Sequence, residues 1–185
     1  VINLVFVLPV ESHKKRYRFG SGIDECSALI EQNKISNNVV FIQPDYCRTP
    51  WYGNNPMDSS IWQLSYTIEI IEKIRLRYHQ KKHRIYLLGF SKSGFGSINI
   101  LLKYPELIDG VMIWDVPLST KWNENWGMSD SFGSVDNFMD NYYLMRDDGI
   151  DFDRLKNKAL IIGGYDLFEV QTKAFLKRLD DSGVI

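Results

Sequence analysis

Short apolar runs alternate with amphipathic stretches along this chain. Five runs rich in Val, Ile and Leu occur at Leu4–Leu8, Val39–Ile42, Ile85–Phe90, Val111–Trp114 and Leu160–Ile162. Continuous apolar runs of this length are typical of strands that are buried on both faces of a sheet. Apolar residues spaced three and four apart predict helices over Ser60–Tyr78, Ser93–Tyr104 and Phe168–Asp180. The alternation predicts an α/β fold, a parallel sheet covered by helices on both faces, with ligand-facing loops at the carboxyl ends of the strands.

Two segments interrupt this alternation, and both are rich in aromatic residues. Residues 43–56 form a loop of turn-forming residues after the second strand. Residues 117–150 are longer than most connections in compact domains. We predict a single domain over residues 1–185 in which 117–150 insert as a cap with a short helix at Val135–Leu144, although an ordinary excursion with its own small core has the same pattern. The candidate lining of a substrate pocket is Trp51, Tyr52, Trp122 and Trp126.

Charge and cysteine content exclude several classes of function. The 185 residues include 22 Lys and Arg against 23 Asp and Glu, so no net field favours nucleic acid or an anionic membrane. No apolar run approaches 18 residues, which predicts a soluble protein. Cys26 and Cys47 lack C-x-x-C spacing, so neither a disulfide framework nor a metal site is expected. The compartment stays open, with the cytoplasm favoured by two unpaired thiols.

Candidate chemistry is concentrated where the third strand ends, at the sequence Gly-Phe-Ser-Lys-Ser-Gly over residues 89–94. A strand, a sharp turn with a central serine and a helix are the setting of a nucleophile elbow. Residues two before and two or three after the nucleophile must be small, because strand and helix cross closely. Ser91 meets this requirement through Gly89, Ser93 and Gly94, whereas Ser93 as the nucleophile would bring Phe95 into the crowded position. The alternative is a glycine-rich turn with an idle serine.

This elbow and three further segments resemble one known superfamily. The elbow within residues 87–96, Tyr-Pro-Glu-Leu at 104–107, Trp-Asp-Val-Pro-Leu at 114–118 and Pro-Trp-Tyr at 50–52 are similar to the esterase branch of the α/β-hydrolase superfamily, related in outline to esterase D-like enzymes. The resemblance implies an α/β-hydrolase fold, here truncated at both ends. It also implies an oxyanion hole formed by the backbone N–H groups of Lys92 and of Val10 or Glu11.

The acid and base of a catalytic triad follow the serine in the chain order of this superfamily. Asp166, after a predicted strand and two glycines, is the first choice for the acid, and Asp115 is the reserve; a helix cap or a loop hydrogen bond is the alternative for either. All three histidines precede the serine, and His13 is the only internal substitute for the base. We therefore predict that the catalytic histidine follows residue 185, beyond a final strand that begins at 184–185.

These residues predict a serine hydrolase that acts on a carboxylic ester through an acyl-enzyme on Ser91, without a metal or another cofactor. The expected partner is a small-molecule ester, with no nucleic acid and no membrane. An exposed strand edge at residues 184–185 predicts either self-association as a homo-oligomer or low stability. The alternatives are a non-catalytic binding module of the same fold, and a peptidase or acyltransferase that uses the same elbow.

Overall fold

A sheet of five parallel strands forms the centre of the protein. The computed structural model describes residues 1–11, 22–46, 51–118, 121–142, 144, 151–164 and 166–185. The strands are β1 (Ile2–Val7), β2 (Val39–Ile42), β3 (His83–Phe90), β4 (Gly110–Trp114) and β5 (Ala159–Gly163). Their spatial order is β2-β1-β3-β4-β5, and every neighbouring pair is parallel. All five predicted strands and their parallel arrangement are confirmed.

Helices follow the strands in the described ranges. They are α1 (Gly22–Glu31), α2 (Gln63–Arg77), α3 (Lys92–Lys103), α4 (Met128–Phe132), α5 (Val135–Asn141) and α6 (Glu169–Asp181). The three predicted helices correspond to α2, α3 and α6. Helix α2 begins later than predicted because Asp58 caps a separate 3₁₀ turn at Ser59–Ile61, where its carboxylate accepts a hydrogen bond from the Ser60 N–H at 3.0 Å. No helix of the described ranges is long and apolar enough to cross a membrane.

The prediction that every apolar run is buried on both faces is wrong for β5. Its residues alternate between exposed and half-buried, and Ile161 is 63% exposed. Strand β5 lies at the edge of the described sheet, next to β4 alone. When both faces of a strand are apolar, its sequence does not show which face stays exposed to solvent. The exposure of β5 could therefore not be predicted from its sequence.

The segment between β4 and β5 packs against the main core. Its helices α4 and α5 contribute Phe132 and Phe138, which are fully buried. Both rings contact Phe95 of α3, with centroids 6.4 and 6.3 Å apart. The predicted helix at Val135–Leu144 is present and shorter, ending at Asn141. Phe132 and Phe138 therefore belong to a core shared with the rest of the domain, and the role of the segment as a cap stays a prediction.

Lys103 is a partly buried cation at the end of α3. Its Nζ atom lies 3.9 Å from the centroid of the Tyr142 ring, which attracts the ammonium group through a cation–π interaction. Burial nevertheless lowers the pKa of Lys103 from its ordinary value of 10.5 to about 8. The folded protein therefore holds this proton less tightly than the unfolded chain does.

The pKa of Lys103 predicts how stability depends on pH. Between about 8 and 10.5 the unfolded chain binds more protons at this site than the folded protein, so its contribution to the free energy of unfolding rises with pH. We expect Lys103→Met to be more stable than the wild type at pH 7.5, and the difference to shrink by pH 9.5. Urea unfolding at both values measures this. The control is Lys73→Met, which removes an exposed lysine and should keep the wild-type dependence of the unfolding free energy on pH. If that dependence were also unchanged in Lys103→Met, the prediction would be wrong.

Candidate active site

Ser91 occupies a strained turn between β3 and α3. Its backbone angles are φ 52° and ψ −122°, a combination that residues with a Cβ atom rarely adopt and that costs about 1–3 kcal/mol. The Ser91 N–H donates a hydrogen bond to the Trp114 carbonyl at 3.2 Å, which ties the turn to the end of β4. The Ser91 side chain makes no capping hydrogen bond to α3. The turn thus presents the hydroxyl group instead of using it to cap the helix.

The residues around Ser91 leave no room for larger side chains. A Cβ atom on Gly89 would lie 2.5 Å from the Ser93 carbonyl oxygen, and one on Gly94 would lie 2.3 Å from Val116 Cγ2. The Ser93 hydroxyl lies 2.9 Å from both the N and the O atoms of Phe90, accepting from one and donating to the other. Ser93 is therefore used to hold the turn together. These contacts are the close strand–helix crossing that the sequence argument required.

Both candidate acids follow strands on the same side of β3, since β4 lies next to β3 and β5 lies next to β4. Asp115 directly follows β4, has a φ of 47°, and donates its N–H to the Gly163 carbonyl at 3.2 Å. Asp166 follows β5 and begins a 3₁₀ turn, Asp166–Phe168, but its side chain lies outside the described part of the chain. Backbone hydrogen bonds thus connect Ser91 to β4 and Asp115 to β5, both at the carboxyl ends of the strands. The choice of Asp166 or Asp115 as the acid stays a prediction.

The loop after β1, residues 8–11, runs beside the elbow, and we name it the oxyanion loop after the role that the sequence predicts for it. Strand β1 pairs with β3 up to Val7 opposite Leu88, and the Leu8 N–H donates to the Leu88 carbonyl at 2.9 Å. Val10 and Glu11 follow, both half-buried. Lys92 is the first residue of α3, where helix geometry gives the N–H no intrahelical acceptor. The two predicted donor segments therefore follow adjacent strands, β1 and β3, at the same end of the sheet.

The four aromatic residues predicted to line a pocket differ in their exposure. Trp51 and Tyr52 are 1% and 0% exposed. Trp51 Nε1 donates to the Trp126 carbonyl at 2.7 Å, and the two indole rings stack with centroids 6.5 Å apart. Trp122 is half-buried and Trp126 is 44% exposed. Trp51 and Tyr52 are thus packed into the interior, and Trp126 has the most surface with which to meet a ligand.

A cavity of about 340 Å³ adjoins the elbow on the side of α1. Its wall includes Pro9 and Val10 of the oxyanion loop, Phe90 and Ser93 of the elbow, and Trp114 of β4. Helix α1 completes it with Glu25, Cys26 and Leu29. Sequence reasoning missed these last residues because α1 was not predicted. A larger cavity of about 550 Å³ lies near the start of α2, and none of its described lining residues is a predicted site residue.

The described histidines lie far from Ser91. The Nδ1 atoms of His79 and His83 lie 2.6 and 2.9 Å from the carbonyl oxygens of Leu76 and Lys81. His83 begins β3, roughly 23 Å from the end that carries the elbow at about 3.3 Å per residue. His13 lies outside the described residues, so the structure does not place this substitute base. No group of three or more His, Cys, Asp or Glu side chains in the described ranges is arranged to hold a metal ion.

Comparison of the sequence with known proteins gives partial matches. No family model matches the chain. A proline iminopeptidase of Elizabethkingia meningoseptica is 27% identical over 63 residues, and one of Flavobacterium johnsoniae is 29% identical over 63 residues. Each match covers 34% of this chain and 21% of the relative. The matched segment thus spans about a fifth of the length of these curated relatives.

Solved structures match over nearly the whole chain. A ferulic acid esterase has a TM-score of 0.60 at 17% identity, covering 100% of this chain and 74% of the other. A brefeldin A esterase, described as a bacterial homologue of human hormone-sensitive lipase, has a TM-score of 0.59 at 16% identity. That match covers 98% of this chain and 57% of the other. An S-formylglutathione hydrolase from Agrobacterium tumefaciens has a TM-score of 0.51 at 15% identity, covering 96% of this chain and 83% of the other. The predicted resemblance is therefore confirmed at the level of the fold, and the chain has the α/β-hydrolase fold.

Proposed function

We propose that the protein is a serine hydrolase that cleaves a carboxylic ester of a small molecule through an acyl-enzyme on Ser91. The observation that carries this proposal is the positive φ of Ser91 in a strand–helix turn, with a hydroxyl group that does not cap the helix. Strain at one residue persists where the surroundings impose it, and it is concentrated at functional sites. The fold of the esterases named above adds support.

The proposed reaction has two steps. Ser91 Oγ attacks the ester carbonyl while a general base takes its proton, and the alcohol leaves with a proton returned by that base. Water then attacks the acyl-enzyme and releases the carboxylic acid. The negative oxygen in each step is bound by the N–H of Lys92 and an N–H of the oxyanion loop, each worth roughly 3 kcal/mol of the barrier. We propose that the base is a histidine, the usual partner of a nucleophilic serine.

The acid that orients this base is proposed to be Asp166, with Asp115 as the other candidate. Replacing the carboxylate of the true acid by an amide favours the wrong tautomer of the histidine and lowers kcat about 10⁴-fold. We expect that loss for Asp166→Asn and a loss of less than about tenfold for Asp115→Asn. Steady-state rates of both variants measure it, and the reverse order would assign the acid to Asp115.

Trp122 and Trp126 are proposed to contribute to the substrate pocket. Trp126 stacks on the buried Trp51 and retains an exposed surface, so an aryl or acyl group could pack against it. In this proposal residues 117–150 act as the cap, and the buried Trp51 and Tyr52 support the site from within.

The proposal is tested by the kinetics of p-nitrophenyl acetate and butyrate hydrolysis by the full-length gene product. An acyl-enzyme predicts a burst of p-nitrophenol, equal to the enzyme concentration, when deacylation limits turnover. Trapping of the acyl group by an added alcohol should then give a transesterified product. Absence of turnover on these esters and on longer acyl chains would contradict the esterase proposal and favour a binding module.

A peptidase is the second candidate, because the two curated sequence relatives are proline iminopeptidases. Such an enzyme would use the same elbow to attack the amide bond after an N-terminal proline. The test compares prolyl-p-nitroanilide with p-nitrophenyl butyrate at equal enzyme concentration. A larger kcat/KM on the anilide would favour the peptidase, and cleavage of the ester alone would exclude it.

A further inference from the structure

Tyr52 is held in an unfavourable backbone conformation inside the core. Its φ is 59°, in the left-handed region that bulky residues seldom occupy, and its side chain is fully buried. Such a residue costs about 1–3 kcal/mol and persists only where its surroundings determine its position. Two contacts of Tyr52 provide this constraint, one to the helix of the elbow and one to the oxyanion loop.

The Tyr52 ring fits against the helix that begins at the elbow. A Cβ atom on Gly96 would lie 2.3 Å from Cδ2 and 2.4 Å from Cγ of this ring, so the glycine permits the close approach. Tyr46 packs edge-on against the ring with centroids 5.5 Å apart. The ring is thus fixed relative to α3, which carries Lys92 at its first position.

The Tyr52 hydroxyl group reaches the oxyanion loop. It donates a buried hydrogen bond of 2.7 Å to the Pro9 carbonyl, 43 residues away in the chain. Proline has no N–H, so Pro9 can be held by backbone hydrogen bonding only through this carbonyl. The hydrogen bond therefore fixes the orientation of the peptide unit that joins Pro9 to Val10.

This peptide unit also contains the Val10 N–H group. No cis peptide bond occurs among the described residues, and in a planar trans peptide the C=O and N–H groups point in opposite directions. Because Tyr52 draws the Pro9 carbonyl into the core, the Val10 N–H points the opposite way. Val10 also lines the cavity that borders Phe90 and Ser93, whereas Glu11 is not among its described lining residues.

We propose that Tyr52 is a positioning residue that aims the Val10 N–H at the oxyanion, which makes Val10 and not Glu11 the donor from the oxyanion loop. This inference rests on the proposed function, since it assigns a donor in the reaction at Ser91. Tyr52 touches neither the substrate nor the reacting atoms in this scheme. It acts by connecting the loop to α3, so that both donors keep a constant separation.

The experiment compares Tyr52→Phe with Tyr142→Phe in the full-length gene product. Both variants remove one buried hydroxyl that hydrogen-bonds to the backbone, because the Tyr142 hydroxyl accepts from the Asn54 N–H at 2.9 Å. Loss of a whole oxyanion donor costs about 10²–10³ in kcat, so misalignment of one should cost about 10- to 100-fold. We expect this fall in kcat, with KM changed less than twofold, for Tyr52→Phe only.

Two further measurements separate positioning from a general loss of structure. An alkyl boronic acid, which forms a tetrahedral adduct with the serine, should bind Tyr52→Phe at least tenfold more weakly than Tyr142→Phe. Pro9→Gly, which loosens the same peptide unit and leaves Tyr52 intact, should also lower kcat. If Ser91 of the wild type is reactive but Tyr52→Phe and Tyr142→Phe have equal kcat and KM, the role of Tyr52 is overturned and the proposed function is not. A wild type that lacks both turnover and boronate binding would overturn the proposed function together with it.

Discussion

Replacing Ser91 with alanine should lower kcat for p-nitrophenyl butyrate by about 10⁴-fold or more and leave the fold intact. The variant removes the atom that forms the acyl-enzyme, and loss of a nucleophilic serine of this kind has cost about 10⁶-fold in a well-studied serine protease. The turn itself is held by the Ser91 N–H and by the Ser93 hydroxyl, and both remain. Initial rates under identical conditions, with a circular dichroism spectrum of each protein, measure the effect.

Ser97→Ala is the matched control for Ser91. Ser97 lies on α3, the helix that Ser91 precedes; it is fully buried and donates its hydroxyl proton to the Ser93 carbonyl at 2.8 Å. Its loss should cost about 1 kcal/mol of stability and less than threefold in kcat. If Ser91→Ala kept turnover comparable to that of Ser97→Ala, Ser91 would not be the nucleophile.

Gly89→Ala should lower the free energy of unfolding by about 3 kcal/mol or more. The added Cβ atom would lie 2.5 Å from the Ser93 carbonyl oxygen and 2.6 Å from the Gly94 nitrogen. Both are backbone atoms, so no side-chain rotation can relieve the overlap, and the strand and helix would have to separate. Urea unfolding followed by tryptophan fluorescence measures the change.

Gly163→Ala makes the same chemical change where there is room for it. The nearest atom to its added Cβ would be Trp114 Cβ at 3.7 Å, an ordinary contact. We expect a change in unfolding free energy of less than about 0.5 kcal/mol, because a tolerated methyl group also reduces the entropy of the unfolded chain. Similar destabilisation by both substitutions would show that the close crossing at the elbow is not what Gly89 provides.

The strands and the elbow were predictable because their signals are local. A run such as Val39–Ile42 is apolar enough to indicate a strand without knowledge of its neighbours, and its bounds are confirmed. Gly89 reflects a steric requirement within the elbow itself, against the backbone of residues 93 and 94, whereas the contact that limits Gly94 is with Val116. Helix α1 was missed, although its apolar residues are segregated to one face at least as well as those of α2 and α6, which were predicted.

The surroundings of the elbow depend on contacts between distant parts of the chain. The sequence cannot distinguish a tryptophan of the core from one of a pocket. The buried Trp51 is held by hydrogen bonds to Gln63, Ser131 and Trp126, which are 12 to 80 residues away in the chain. The link from Tyr52 to Pro9 is equally non-local. Aromatic residues near a candidate site therefore needed the fold before their roles could be separated.

The central claim is that Ser91 is the nucleophile, and its most direct test is the site of reaction with a fluorophosphonate. The full-length gene product is treated with the probe, digested, and mapped by tandem mass spectrometry. We predict one adduct, on the peptide at Ser91, absent from Ser91→Ala and retained in Ser97→Ala. An adduct on a different residue, or ester turnover by a protein that does not react with the probe, would contradict the claim.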